Sequence, residues 1–158
     1  VSPRLFRHFI LPALARLVTV VKELRPDLVV MLHSDGVITK LIPDLISIGV
    51  DVIHPLEPLP AMDLPAIKAE FGQQVAFMGG IDISHAMRGT REEVAAEVQR
   101  RIQQLAPGGG YLLTPANHLQ ADVPVANVVA LVAAARRFGQ YPLAHDSFGT
   151  PLSKGASL

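Results

Sequence analysis

The stretch Leu28-Val29-Val30-Met31-Leu32-His33-Ser34-Asp35-Gly36 is five apolar residues closed by an imidazole, a hydroxyl, a carboxylate and a glycine. An unbroken apolar run has no polar face to turn toward water. It predicts a strand buried on both sides, the kind that parallel sheets contain. Three further runs of the same type follow, Val50–Ile53, Val75–Met78 and Tyr111–Leu113. Each ends in Gly, Pro or polar residues and is followed by an amphipathic segment: Thr39–Ile48, Pro65–Phe71, Thr90–Leu105 and Pro124–Phe138. Strands alternating with helices predict a parallel sheet with helices against it.

Upstream of the first run, Ser2-Pro3 supplies an N-cap and a proline at the first helical position. Phe6, Phe9, Ile10, Leu14, Leu17, Val18, Val21 and Leu24 recur at three- and four-residue spacing, which predicts one buried helical face. Pro12 is expected to kink this helix without ending it, because the pattern resumes beyond it. Arg25-Pro26-Asp27 closes it. Thr90 with Glu93 predicts a capping box, and Val94, Val98, Ile102 and Leu105 a buried stripe. Pro107 and Gly108-Gly109-Gly110 end that helix.

A helix followed by (βα)4 fits either a small open doubly wound sheet or half of a (β/α)8 barrel. Leu32 to Gly36 is not the G-x-G-x-x-G that a dinucleotide fold places after its first strand. Polar groups instead gather at every strand end: His33-Ser34-Asp35, His54, Gly79-Gly80-Ile81-Asp82, and Thr114 through Asn117-His118. That distribution is typical of the C-terminal face of a barrel, which takes about 250 residues when complete. The 158 residues here supply four of its eight strands. The expected layout is a partial barrel over residues 1–141 and a loose tail over 142–158.

Composition narrows the function. Acidic and basic residues balance at 14 each with no basic run, which argues against a nucleic-acid partner held through phosphates. Leu17–Val21 and Val128–Ala135 are too short for a membrane span of roughly 20 residues. No signal peptide is visible, and a cytoplasmic location is expected. The chain opens at Val1, which suggests a piece of something longer. Cysteine is absent, so disulfides and thiolate metal sites are excluded.

His33 and Asp35 stand two apart on an extended run, so both side chains face one way and Ser34 the other. Such a pair can transfer protons, with Asp35 orienting the imidazole. It can also supply two ligands to a hard or borderline cation, or Asp35-Gly36 can be turn chemistry that caps the helix near Thr39. His54 and Glu57 are expected near the same mouth, His54 as a ligand or as a supporting group. Gly79 and Gly80 would let a ligand approach the backbone closely. Asp82 beside them is either a ligand contact or a cap for a turn at Ser84–Met87, and His85 is expected to be solvated. Asn117, His118 and Gln120 crowd one loop that ends at Asp122, the expected cap of the last helix. Histidines on three strand ends are enough for a catalytic metal with an open position. His8 and His145 are expected at the surface.

These residues carry a resemblance. Ser2-Pro3, Leu32-His33-Ser34-Asp35-Gly36, Leu45 to Gly49-Val50-Asp51, Gly79-Gly80-Ile81-Asp82, Gly108-Gly109-Gly110-Tyr111 and Pro124 to Asn127 occur in the order and spacing of one family. Across residues 1–141 the chain resembles the C-terminal half of the uroporphyrinogen decarboxylase superfamily. The resemblance implies a (β/α)8 barrel of well over twice this length, its N-terminal half lying outside the chain or its place taken by self-association.

Two branches of chemistry are implied. The decarboxylases act without metal or cofactor on the acetate arms of a porphyrinogen, using Arg and Asp residues of the N-terminal half. Their Gly-His-Gly histidine falls at Asn117, with His118 next to it. The methyltransferases exchange a methyl group with a corrinoid carried by a partner protein, and several bind zinc through His-x-Cys and a later Cys. His33 matches that His; Asp35 and Asn117, or His118 after a one-residue shift, fall at the cysteines. Zinc or another divalent ion would then have only His33, Asp35 and His118. The His-Ser-Asp-Gly form is most similar to uncharacterised or demethylase-like members. It implies an enzyme that moves a methyl group from a small methylated substrate, with catalytic residues His33, Asp35 and His118. His54, Gly79, Gly80, Asp82, Asn117 and Gln120 would bind the substrate. A non-catalytic half-barrel that needs a partner chain is the rival of another class.

Overall fold

Ser2 opens the first helix as expected: its Oγ accepts from the Leu5 N–H at 3.3 Å, and Pro3 takes the first helical position. In the computed structural model, which describes residues 1–141 and 143, this helix α1 runs Pro3–Leu5, passes through a π-helical stretch Phe6–Ile10 and continues as Leu11–Leu24. The wide turn falls just before Pro12, with the Leu11 N–H bonding back to the Phe6 carbonyl. A π turn absorbs the donor that proline lacks, so the helix continues. The apolar face of α1 is only partly buried, contrary to the expected single stripe. Phe6 and Val18 are covered, whereas Phe9 is 69% and Leu17 61% exposed. Eight apolar positions take up more of the helix circumference than one side of the domain can cover.

The remaining elements are β1 (Met31–His33), a 3-10 turn (Thr39–Leu41) leading into α2 (Ile42–Ser47), β2 (Val52–Leu56), α3 (Leu64–Phe71), β3 (Ala76–Ile81), a 3-10 turn (Ala86–Arg88), α4 (Arg91–Leu105), β4 (Tyr111–Pro115) and α5 (Val125–Phe138). The strands form one parallel sheet in the order β1-β2-β3-β4. A doubly wound sheet reverses its strand order at a switch point. This order never reverses, which settles the choice in favour of the half-barrel.

Each strand ends later than its apolar run. Pairing is made by the backbone, so a polar side chain does not end it: His33 and His54 are cross-strand partners, and the Ser34 N–H donates to the His54 carbonyl at 2.7 Å. Leu28–Val30 lies outside β1 and is held from the side. Asp51 Oδ2 accepts from the Val30 N–H at 2.7 Å and from Lys22 Nζ at 2.6 Å, which ties α1 to the entry of β1.

One face of the sheet packs on helices. Leu32, Ile53 and Phe77 join Ile42, Leu45, Ile67 and Phe71 in one core, and Leu113 joins Val94, Val98, Ile102 and Leu131 in a second. Tyr111 touches both. Full burial of such side chains contributes about 1.5–3 kcal/mol each. The alternate positions Met31, His33, His54, Met78, Leu112 and Thr114 share the other, inward face. It is open: Met31 is 51% and Leu112 45% exposed.

The capping box of Thr90 and Glu93 forms, and its buried stripe is as expected. Glu97 and Arg101, buried on the same helix, are paired at 2.9 Å, and Arg100 joins them. Gly108, Gly109 and Gly110 all have φ between 65° and 78°, a left-handed run that returns the chain to β4. Asp122 does not cap α5. Pro124 holds that position without a side-chain bond, and Asp122 pairs with Arg88 at 2.9 Å. The expected loose tail, and His145 in it, lie outside the described residues apart from Leu143, which is buried in the second core. No helix among the described residues is long and apolar enough to cross a membrane.

Candidate functional site

Register brings the first two histidines together. Because His33 pairs with His54 across β1 and β2, both imidazoles rise from the same face of neighbouring strands. Their Nδ1 atoms are 2.8 Å apart, with ring centroids 4.8 Å apart. One nitrogen must carry hydrogen and the other a lone pair, so the contact holds a single proton. His33 Nε2 lies 3.4 Å from Asp35 Oδ1, on the side that strand alternation predicts. Burial is the main cause holding the His54 pKa below its ordinary value; the charge of His33 adds to this and Asp35 opposes it.

Asp35 does not cap the turn at Thr39, whose cap position, Ile38, has no side-chain bond. Its Oδ1 instead accepts from Asn117 Nδ2 at 3.0 Å, across 82 positions of sequence. β1 and β4 are the two edges of the sheet, so this bond spans the mouth of the curved inner face. Asn117 Oδ1 accepts from the His118 N–H at 2.8 Å and also lies 2.8 Å from His118 Nδ1. Gln120 Nε2 is 2.7 Å from His118 Nε2. His54, His33, Asp35, Asn117, His118 and Gln120 therefore form one connected chain across the ends of three strands. Glu57 braces it by accepting from the Gly36 N–H.

Gly79, Gly80 and Asp82 stand apart from that chain. A Cβ on Gly79 would sit 2.7 Å from the Leu56 backbone nitrogen, and one on Gly80 2.7 Å from the Tyr111 hydroxyl oxygen. Tyr111 donates to the Gly79 carbonyl at 2.9 Å, and burial pushes its pKa up, which keeps it a donor. The close approach these glycines permit is that of β2 and Tyr111. Asp82 caps the following turn: its Oδ1 accepts from the N–H groups of Ser84 at 2.7 Å and His85 at 3.3 Å, and Oδ2 meets His85 Nδ1 at 3.1 Å. Burial works to raise the Asp82 pKa, but these bonds together outweigh it and the net shift is downward. Asp82, Ser84 and His85 line, with Glu57 and Ala116, a concavity of about 150 Å³ between the loops after β2 and β3. Neither the His33–His54 contact nor the Glu57 brace is legible in a single segment, because register is a property of two strands.

Imidazole and carboxylate suit a borderline cation chemically. Yet among the described residues no three His, Asp or Glu side chains converge as a ligand set. His33 faces His54 and Asp35 through its two nitrogens, and His118 faces Asn117 and Gln120. As arranged, their nitrogens are turned to one another and to neighbouring amide and carboxylate groups, not to a common metal position.

A sequential parallel four-stranded sheet with polar side chains joined at its strand ends is the half of a (β/α)8 barrel on which chemistry can be built. The family model described as uroporphyrinogen decarboxylase (URO-D) matches residues 1–138, and the chain belongs to that family. Among solved structures it is similar in fold to a methyltransferase from Methanosarcina mazei, with 23% identity and a TM-score of 0.71. The similarity covers 89% of this chain and 39% of the methyltransferase, so the chain spans well under half of that protein's length. No curated protein sequence matches the chain.

Proposed function

We propose that this chain is the C-terminal part of a URO-D-family enzyme that removes a methyl group from a small methylated substrate and delivers it to a corrinoid carried by a partner protein. The observation that carries this reading is the Asp35–His33–His54 cluster at the open strand ends. The corrinoid supplies the nucleophile that takes the methyl group. The task of this chain is the leaving atom, an oxygen or nitrogen that departs more easily when protonated in the transition state. His33 holds that proton at Nε2 and Asp35 orients the ring. His54 accepts at Nδ1 from the Nδ1–H of His33, so the ring that gives up its Nε2 proton is left neutral, and water returns that proton after each turnover. The cluster is exposed, within reach of a large partner. A further four-stranded unit would cover the open inner face and complete the barrel.

Cofactor-free decarboxylation of porphyrinogen acetate arms is the second reading, favoured by the matching family model and by His118 beside Asn117. It is the weaker one, because Gly79 and Gly80 stand apart from the connected polar side chains. The test uses the full-length protein, assayed for methyl transfer to added cobalamin and for porphyrinogen consumption, with zinc analysis of both preparations. Methyl transfer that falls about 10²-fold or more in His33→Gln supports the first reading. Porphyrinogen consumption by metal-free protein without methyl transfer overturns it. Stoichiometric zinc lost in His33→Gln would replace the proton at His33 with a Lewis acid.

A further inference from the structure

We infer that Asn117 is a positioning residue that sets the tautomer of His118, so that neutral His118 presents an unprotonated Nε2 to the site while Asp35 is held toward His33. This deepens the reading above by giving His118 the accepting role opposite the donor His33.

The polarity follows from one donor that cannot be anything else. The backbone N–H of His118 points at Asn117 Oδ1 at 2.8 Å, and a peptide N–H only donates. The amide of Asn117 must therefore place its oxygen there and its NH₂ on the other side, where it meets Asp35 Oδ1 at 3.0 Å. An ionised carboxylate only accepts, so both ends of the amide agree on the same orientation. An amide oxygen has no hydrogen to give, so the His118 Nδ1 that lies 2.8 Å from it must carry one. In the neutral ring Nε2 is then a lone pair. Gln120 meets it with an amide nitrogen at 2.7 Å, a donor facing an acceptor, as the assignment requires.

The direction of the chain has a chemical meaning. Gln120 is exposed and holds His118 Nε2 by one neutral hydrogen bond. A substrate hydroxyl or protonated amine can displace it and donate in its place. The ligand class that fits is a small molecule with an accepting, methylated atom toward His33 and a hydrogen-bond donor toward His118. Asn117 joins the two because it is bonded to His118 at one end and to Asp35 at the other, across the sheet.

The tautomer is directly observable, independently of any activity. Long-range proton–nitrogen correlation spectra of the ¹⁵N-histidine-labelled full chain, taken well above the ordinary imidazole pKa range near 6.5, distinguish a protonated Nδ1 from a protonated Nε2. In the wild type His118 is expected as the Nδ1–H form. Asn117→Ala removes the acceptor, and His118 should shift to the Nε2–H form that free histidine prefers. Asn117→Asp keeps an oxygen acceptor for Nδ1–H, so His118 should remain Nδ1–H there while the bond to Asp35 is lost. Dispersed amide spectra of Asn117→Ala and Asn117→Asp are the control that both variants fold. A wild-type His118 protonated at Nε2, or no change between wild type and Asn117→Ala, overturns the assignment. If the tautomers behave as described but no methyl transfer is found, the positioning role stands and the functional reading fails.

Discussion

Gly79→Ala tests whether the paired glycines of β3 serve packing or ligand binding. Gly79 has φ of +123° and its missing Cβ would stand 2.7 Å from the Leu56 backbone nitrogen. An L-residue in that region costs on the order of 1–3 kcal/mol. Relief of the contact requires β2 to move away from β3, because the obstructing atom is backbone, and such overpacking costs about 1–3 kcal/mol more. The sum is about 2–6 kcal/mol. For a domain of this size that lowers Tm by on the order of 10 °C. Gly109→Ala is the matched control: its φ is +78° but nothing lies within 4 Å of the added atom. It should lose only the backbone term, about 1–2 kcal/mol. Urea denaturation of both variants, read by circular dichroism, gives a difference that contains the steric part together with the extra backbone cost of the larger φ at Gly79. Equal stabilities would refute the packing account. A Gly79→Ala protein as stable as wild type but defective in substrate binding would restore these glycines to the ligand.

Two other outcomes follow from buried or partly buried polar groups. Asn127 is buried and its Nδ2 donates to the carbonyls of Met87 at 3.0 Å and Gly89 at 2.7 Å. Asn127→Ala should cost about 2–4 kcal/mol in the same denaturation assay, because two acceptors lose their partner. Asp82, whose pKa is lowered on folding from its ordinary value of 3.8, contributes stability that is fully present above that value. The contribution is lost as pH falls through the lower folded pKa. Thermal melts between neutral pH and pH 3 should show part of the acid destabilisation missing in Asp82→Asn, which keeps a capping oxygen but has no proton to bind.

The alternation of apolar runs and amphipathic segments was readable from the chain alone, because strand and helix periodicity, caps such as Ser2 and Thr90, and the Gly108–Gly110 stop are local properties. Spacing also put His33 and Asp35 on one face, since alternation needs only one strand. Strands run past their apolar runs because pairing follows backbone partners, and α1 is less buried than its pattern implies because its apolar positions outnumber the surface available to cover them. The polar chain from His54 to Gln120 belongs to the tertiary structure. It needs the register of β1 on β2 and a sheet curved enough for Asp35 and Asn117 to meet across 82 residues. So does the role of Gly79 and Gly80, which depends on how near Leu56 and Tyr111 come. Sequence by itself determined the elements and the chemistry available at their ends; only tertiary structure decided which of those groups touch, because contact distance depends on sheet curvature and register, and neither is encoded in any one segment.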